Sequence, residues 1–169
     1  MAAPSALPPP NLDDLLCFAV HSTGFAFNRI YRQALQKLGL TYPQYLVMVA
    51  LWGTDSVTVG HLGEQLALET STLTPLLKRL EALGLLTRRR SEDDERRVNV
   101  TTTAKGRALR REAAEVTRCI VESAGLQLSD FVRLTQDLRA LRLNLIQAAE
   151  KAEVCSTSRM PRSRVASKI

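Results

Sequence analysis

Residues 58–102 constrain this chain more than any other stretch. After Thr58 comes a short apolar-faced segment, VGHLGEQLAL, and then STLTPLLKRLEALG, which opens at a Thr70/Ser71 cap and stops at Gly84. In the second segment Leu73, Leu76, Leu77, Leu80 and Leu83 recur at helical spacing, so one face is made for a core. LLTRRRS and RRVNVTT follow, two short strand-like runs joined by the polar turn EDDE. A helix, a tight turn, a second helix and a hairpin leave few ways to pack. The helices must cross, and the hairpin must fold back beside them.

The chemistry on this unit suits a polyanion. Thr70, Ser71, Thr72 and Thr74 make the first turn of the second helix small and polar, which lets it approach base edges in a major groove. Lys78 and Arg79 lie further along that helix, and the hairpin carries Arg88, Arg89, Arg90, Arg96 and Arg97. Net charge is +6, but residues 71–111 hold eleven basic and five acidic side chains, against three and five in residues 1–70. Residues 112–155 return to an acidic balance, with five basic and seven acidic side chains. A basic centre between mildly acidic flanks is the footprint of a surface that neutralises phosphate. The plainer readings are a solvated charged face and an ordinary Ser/Thr cap. Both lose ground once a basic hairpin follows in the right place, and the order of elements is that of a winged helix-turn-helix.

The rest of the chain reads as helices. Asn11 is placed to cap a helix running to about Leu38, where Gly39 stops it. Pro43 opens a second, PQYLVMVALWG, apolar nearly all round and therefore core. Thr103 caps a helix to about Ser123, and Ser129 one to about Ala152. The expected fold is mainly α with a small β-hairpin wing. Residues 1–10 are expected to be a flexible arm and 11–152 one domain, with the winged unit at about 56–103. Dimerisation helices are expected at about 12–38 and 103–152, and a basic disordered tail at 153–169. In the last helix Leu134, Leu138, Leu141 and Leu145 form a stripe that needs a partner, so a symmetric dimer through the N- and C-terminal helices is expected. No apolar run approaches the ~18 residues of a membrane span, and MAAPSALPPP does not read as a secretory signal. The expected compartment is the cytoplasm.

LTPLLKRLEALGLLTRRRSEDDERRVNVT resembles the DNA-binding core of MarR-family regulators, and the likeness extends over about residues 12–150. It is similar in particular to the OhrR branch, the organic-hydroperoxide-sensing repressors. That narrower likeness rests on LLCF around Cys17, on Tyr31, on LTYPQYLVM containing Tyr42, and on GEQLALETSTLTPLLKRLE. The sequence departs from the pattern at His21, where relatives carry Tyr, and at TTT 101–103, where they carry TLT. The resemblance implies a repressor bound to a palindromic operator in double-stranded DNA and released when organic hydroperoxide oxidises Cys17. It also implies that Asp94 braces the wing, that Arg96 enters the minor groove, and that Tyr31 and Tyr42 stabilise the Cys17 thiolate from the other subunit.

A lone cysteine on a helix is more often a small buried hydrophobe than a sensor. Peroxide reacts with thiolate, so a sensor needs a pKa below the free value of ~8.5, which donating phenols would supply. Some relatives resolve the sulfenic acid with a distal cysteine, and Cys119 is the candidate here; others use an external thiol. Cys155, at the start of the tail, is the lesser candidate. Three cysteines and two histidines, widely spaced, do not suggest a metal site or a structural disulfide framework, and no cofactor is implied. His21, one turn beyond Cys17, is read as packing. The alternative readings are a MarR-type repressor released by a phenolic or apolar acid in the dimer cleft and, further off, a cysteine-based thiol peroxidase. The main reading is not an enzyme.

Overall fold

A computed structural model describes residues 11–54, 56–91, 94 and 96–157. The expected flexible arm (1–10) and the tail beyond 157 lie outside the described residues. The chain divides into two units, Met1–Ser123 and Ala124–Ile169.

The first unit begins with a helix shorter than the sequence suggests. A 3-10 turn at Leu12–Asp14 precedes α1 (Leu16–Ala34), and another at Gln36–Leu38 ends at Gly39, whose φ of 63° is left-handed. Asn11 makes no side-chain cap, and the extended Leu15 separates the turn from α1. α2 (Tyr42–Trp52) opens at a reciprocal cap, in which the Thr41 amide donates to Gln44 Oε1 at 2.9 Å, with Pro43 in the first turn. This bond is why Gln44 is the one polar side chain among the buried residues described.

A two-residue strand, β1 (Val57–Thr58), leads into α3 (Val59–Leu66), where Thr58 Oγ1 accepts from the His61 amide at 3.2 Å. The turn to α4 (Thr70–Ala82) depends on Gly63: a Cβ there would lie 2.9 Å from the Leu68 carbonyl oxygen. α4 is capped at Glu69, not at Thr70/Ser71, and Ser71 Oγ donates to Glu69 Oε2 at 3.4 Å. Leu73, Leu77 and Leu80 are buried as expected, but Leu83, past the helix end, is exposed.

β2 (Leu86–Arg90) and β3 (Val98–Thr102) pair antiparallel, with Leu86 opposite Thr102 and Arg88 opposite Val100. β1 adds to the other side of β3, Val57 facing Val100, so the expected two-stranded wing stands on a three-stranded sheet ordered β1-β3-β2. α5 (Ala104–Ser123) starts where Thr103 Oγ1 accepts from the Gly106 amide at 3.1 Å. The core joins Leu35, Met48 and Leu51 to Leu62, Leu77 and Val100, all almost inaccessible. α1, by contrast, buries none of its residues within the chain.

The second unit is a helix, α6 (Leu128–Thr157), beginning ahead of Ser129 and running past the expected end near Ala152. Leu134, Leu138 and Leu145 of the expected stripe are exposed.

Gly106 is the tightest point. A Cβ on it would stand 2.0 Å from the Leu85 carbonyl oxygen, which is backbone and cannot swing away. Gly106→Ala is therefore expected to cost at least the ~1–3 kcal/mol of an overpacked core, seen as a lower midpoint in thermal or urea unfolding. Gly60→Ala, in open space on α3, is the control and is expected to be neutral or slightly stabilising.

Candidate nucleic-acid interface and thiol site

α3, α4 and the hairpin enclose an open cleft of ≈ 590 Å³ lined by His61, Glu64, Thr70, Thr74, Arg96 and Arg97 among others. Thr70, Ser71 and Thr72 are exposed at the start of α4, and Lys78 and Arg79 are exposed further along it. Thr74 is half-buried, its hydroxyl donating to the Thr70 carbonyl at 2.8 Å. That bond leaves its lone pairs and methyl, not its proton, for a ligand.

Asp94 organises the described part of the hairpin tip. Its Oδ1 accepts from the Arg96 amide at 3.0 Å, its Oδ2 pairs with Arg97 Nε at 3.3 Å, and its carbonyl accepts from the Arg97 amide at 2.8 Å. Arg96 is left exposed with its guanidinium unpaired among the described residues, as are Arg89 and Arg90. Arg88 differs from the other hairpin arginines. Its Nε and Nη2 both donate to Glu81 Oε2, at 3.0 and 2.6 Å, so the cation already has a partner. Arg88 is half-buried opposite Val100, whereas Arg90, on the same face of β2, is exposed, so it is the bond to Glu81 that sets Arg88 apart.

At the other end of the unit Tyr31 and Tyr42 stack with ring centroids 4.3 Å apart, and Tyr45 lies 5.9 Å from Tyr31. Burial, with Tyr42 and Tyr45 beside it, pushes the Tyr31 phenol up to about 12; burial, then Tyr45, raises Tyr42. Both phenols are protonated donors at neutral pH. Cys17 is exposed, near the start of α1. Tyr31 is on the same helix fourteen residues later, a rise of about 21 Å, so the two cannot meet within one chain. His21 stacks edge-on against Phe25 at 4.6 Å.

Cys119 is exposed and lines an open groove of ≈ 400 Å³ with Gln33, Lys37, Leu38, Glu115 and Arg118. Cys155 falls in the last turns of α6, and its side chain is outside the described residues. Among the described residues no cluster of His, Cys, Asp or Glu could hold a metal ion, and no helix is long and apolar enough to cross a membrane.

Residues 29–112 match the family model of the transcriptional regulators SarA/Rot. The organic hydroperoxide resistance transcriptional regulator of Bacillus subtilis is 39% identical over 136 residues, 80% of this chain and 92% of that protein. The chain belongs to the MarR family. Another relative, the HTH-type transcriptional regulator TtmR of Methylorubrum extorquens, is 40% identical over 146 residues, 86% of this chain and 75% of that one. Among solved structures, AbfR of Staphylococcus epidermidis superposes with a TM-score of 0.67 at 31% identity, covering 80% of this chain and 94% of AbfR. AbfR has also been solved reduced and bound to DNA, and in a disulfide-formed state. This MarR-family chain thus carries its winged helix-turn-helix at one place and a cysteine, distant along α1 from a stacked tyrosine pair, at another.

The raised Tyr31 pKa has a readable consequence. A phenol that titrates near 12 in the fold and near ~10 unfolded contributes stability that is complete below pH ~10 and lost as pH rises through about 12. Tyr31→Phe is expected to lose stability less steeply than wild type over that window in alkaline unfolding series. Identical slopes would mean that the phenol is as well solvated folded as unfolded.

Proposed function

We propose that this chain is a dimeric repressor of the MarR/OhrR type that leaves its operator when an organic hydroperoxide oxidises Cys17. One observation carries the reading: exposed Cys17 lies on a helix with no residue buried in its own chain, about 21 Å along that helix from a phenol pair held protonated. A second copy packed on α1 brings a Tyr31–Tyr42 pair to each Cys17. The phenols then donate to the sulfur and stabilise its thiolate, because hydrogen bonds to a charged form favour that form. The thiolate attacks the terminal hydroperoxide oxygen; the O–O bond breaks, an S–O bond forms, and the alkoxide takes a proton and leaves as the alcohol. Cys17 becomes a sulfenic acid, and the donated hydrogen bonds must rearrange.

Cys119 is proposed as the resolving thiol. Its sulfur displaces the sulfenic oxygen of Cys17 in the partner, giving an intersubunit disulfide and water. Such a bond needs Cα atoms within about 7 Å, so its formation constrains how the two copies sit. The half-sites of a palindromic operator lie about one DNA turn apart, and a change in spacing of the two α4 helices weakens binding.

On DNA, Thr70, Ser71 and Thr72 are assigned to base edges, with Thr74 at the groove wall. Lys78, Arg79 and Arg90 are assigned to phosphate and Arg96 to the minor groove, its backbone braced by Asp94. The likeness to AbfR, solved on DNA, and to the Bacillus regulator supports this assignment.

The test uses a duplex selected from random sequence by the reduced protein. Wild type is expected to bind with a steep salt dependence and to release on adding cumene hydroperoxide, while Cys17→Ser stays bound. Release of Cys17→Ser as well would favour a ligand-responsive regulator. Arg96→Ala is expected to weaken binding by roughly 1–3 kcal/mol. On non-reducing gels oxidised wild type is expected as a covalent dimer, and Cys119→Ser is not. A normal dimer band in Cys119→Ser would assign resolution to Cys155.

A further inference from the structure

Glu81 sits in the last turn of α4 and Arg88 in the middle of β2. The carboxylate takes three bonds from this one residue: Nε and Nη2 to Oε2, and the Arg88 backbone amide to Oε1 at 3.0 Å. The backbone bond matters most, because it fixes the strand itself and not only a mobile side chain. With 24% of the Arg88 and 35% of the Glu81 side chain exposed, the pair is partly screened from water. The Arg88 guanidinium beside Glu81 holds its carboxyl below the usual carboxylate range. Among the described residues every other ion pair joins side chains three or four positions apart, within α3, the hairpin tip, α5 or α6. Among the described residues this ion pair alone joins two elements.

Those two elements are the ones that must engage a duplex together. Between them the chain turns at Gly84, whose φ of 71° is left-handed. On the far side of the turn, Thr103 Oγ1 donates to the Gly84 carbonyl at 2.7 Å and Lys105 Nζ to that of Leu83 at 2.9 Å. Both tie the turn to the start of α5, and neither sets the angle of β2 to α4.

We propose that Glu81 and Arg88 form a clamp that orients the wing against α4, and that Arg88 acts on DNA through Glu81 and not by contacting phosphate. The inference rests on the DNA-binding reading above. It makes Glu81 a positioning residue with a counter-intuitive sign. Removing an acidic charge near DNA on its own strengthens binding; removing a clamp weakens it.

Affinity for the selected duplex and for random-sequence DNA is measured across a salt series, on wild type, Glu81→Gln, Glu81→Asp and Arg88→Gln. Glu81→Gln is expected to lose roughly tenfold for the selected duplex, the scale of a hydrogen bond to a charged group, with no loss for random DNA. Glu81→Asp keeps the charge but is too short to hold side chain and backbone together, and is expected to lose specific affinity as well. It also stands in should Glu81→Gln fail to fold. Arg88→Gln is expected to bind more weakly at an unchanged salt slope, whereas loss of a phosphate contact lowers the slope by about one. Binding of the selected duplex by Glu81→Gln or Glu81→Asp as tightly as wild type overturns the clamp, as does a lowered slope in Arg88→Gln. A wild type that binds no duplex overturns the clamp together with the DNA reading, which separates the two failures.

Discussion

At Leu85 the backbone passes so close to Gly106 that no side chain fits between them. The same Leu85 carbonyl accepts the Thr103 amide at 3.1 Å, Thr103 Oγ1 caps α5 through the Gly106 amide, and the Gly106 carbonyl accepts Trp52 Nε1 at 2.9 Å. One small backbone junction therefore joins the end of α4, the start of β2, the end of β3, the first turn of α5 and the last turn of α2. Each of these backbone groups has a partner, as the burial of such a crossing requires. The positions of α4 and the wing both follow from it, since each leaves the junction within a few residues.

The arginines near this junction are chemically alike and structurally different. A basic surface for DNA needs cations free to meet phosphate, yet a thin hairpin crowded with like charges repels itself. Two of its arginines are neutralised in place, Arg88 by Glu81 and Arg97 by Asp94. Asp94 spends its second oxygen on the Arg96 amide, so the backbone beneath Arg96 is held while its side chain stays exposed. Acidic residues in or beside a basic wing are thus a means of fixing geometry, and counting charges alone treats them as losses.

Much of this was legible in the sequence, and the misses share a cause. Amphipathic helices and a hairpin show through because period and turn chemistry repeat over many residues. The cap at Thr103 was legible because a hydroxyl preceding a helix has few other partners. β1 was not, since two residues carry no period, and its pairing with Val100 and Asn99 is decided by tertiary contact. The start of α4 slipped by a residue because Glu69 caps with backbone alone while Ser71 leans back onto its carboxylate. α6 runs on because AEVCST contains no glycine or proline to stop it. Arg88 was grouped by charge with its neighbours, and its pairing with Glu81, seven residues behind, is decided by how β2 returns along α4. The thiol site was legible only through family likeness: nothing in the spacing of Cys17, Tyr31 and Tyr42 within one chain brings them together.

The tyrosine pair is not an isolated feature. Tyr31 packs on Tyr42 and Tyr45, Tyr45 meets Trp52 edge-on at 6.3 Å between centroids, and the Trp52 indole ends on the Gly106 carbonyl. Aromatic side chains therefore run along α2 from the phenols to the junction that carries the wing. Close-packed interiors have little room to absorb a displacement, so a shift at one end of such a row is met by neighbours and not by empty space. Contiguity is the mechanical condition for coupling, and coupling itself requires an element with two arrangements. α1 carries the exposed Cys17 near one end and Tyr31 near the other, so the thiol and this aromatic row share one helix.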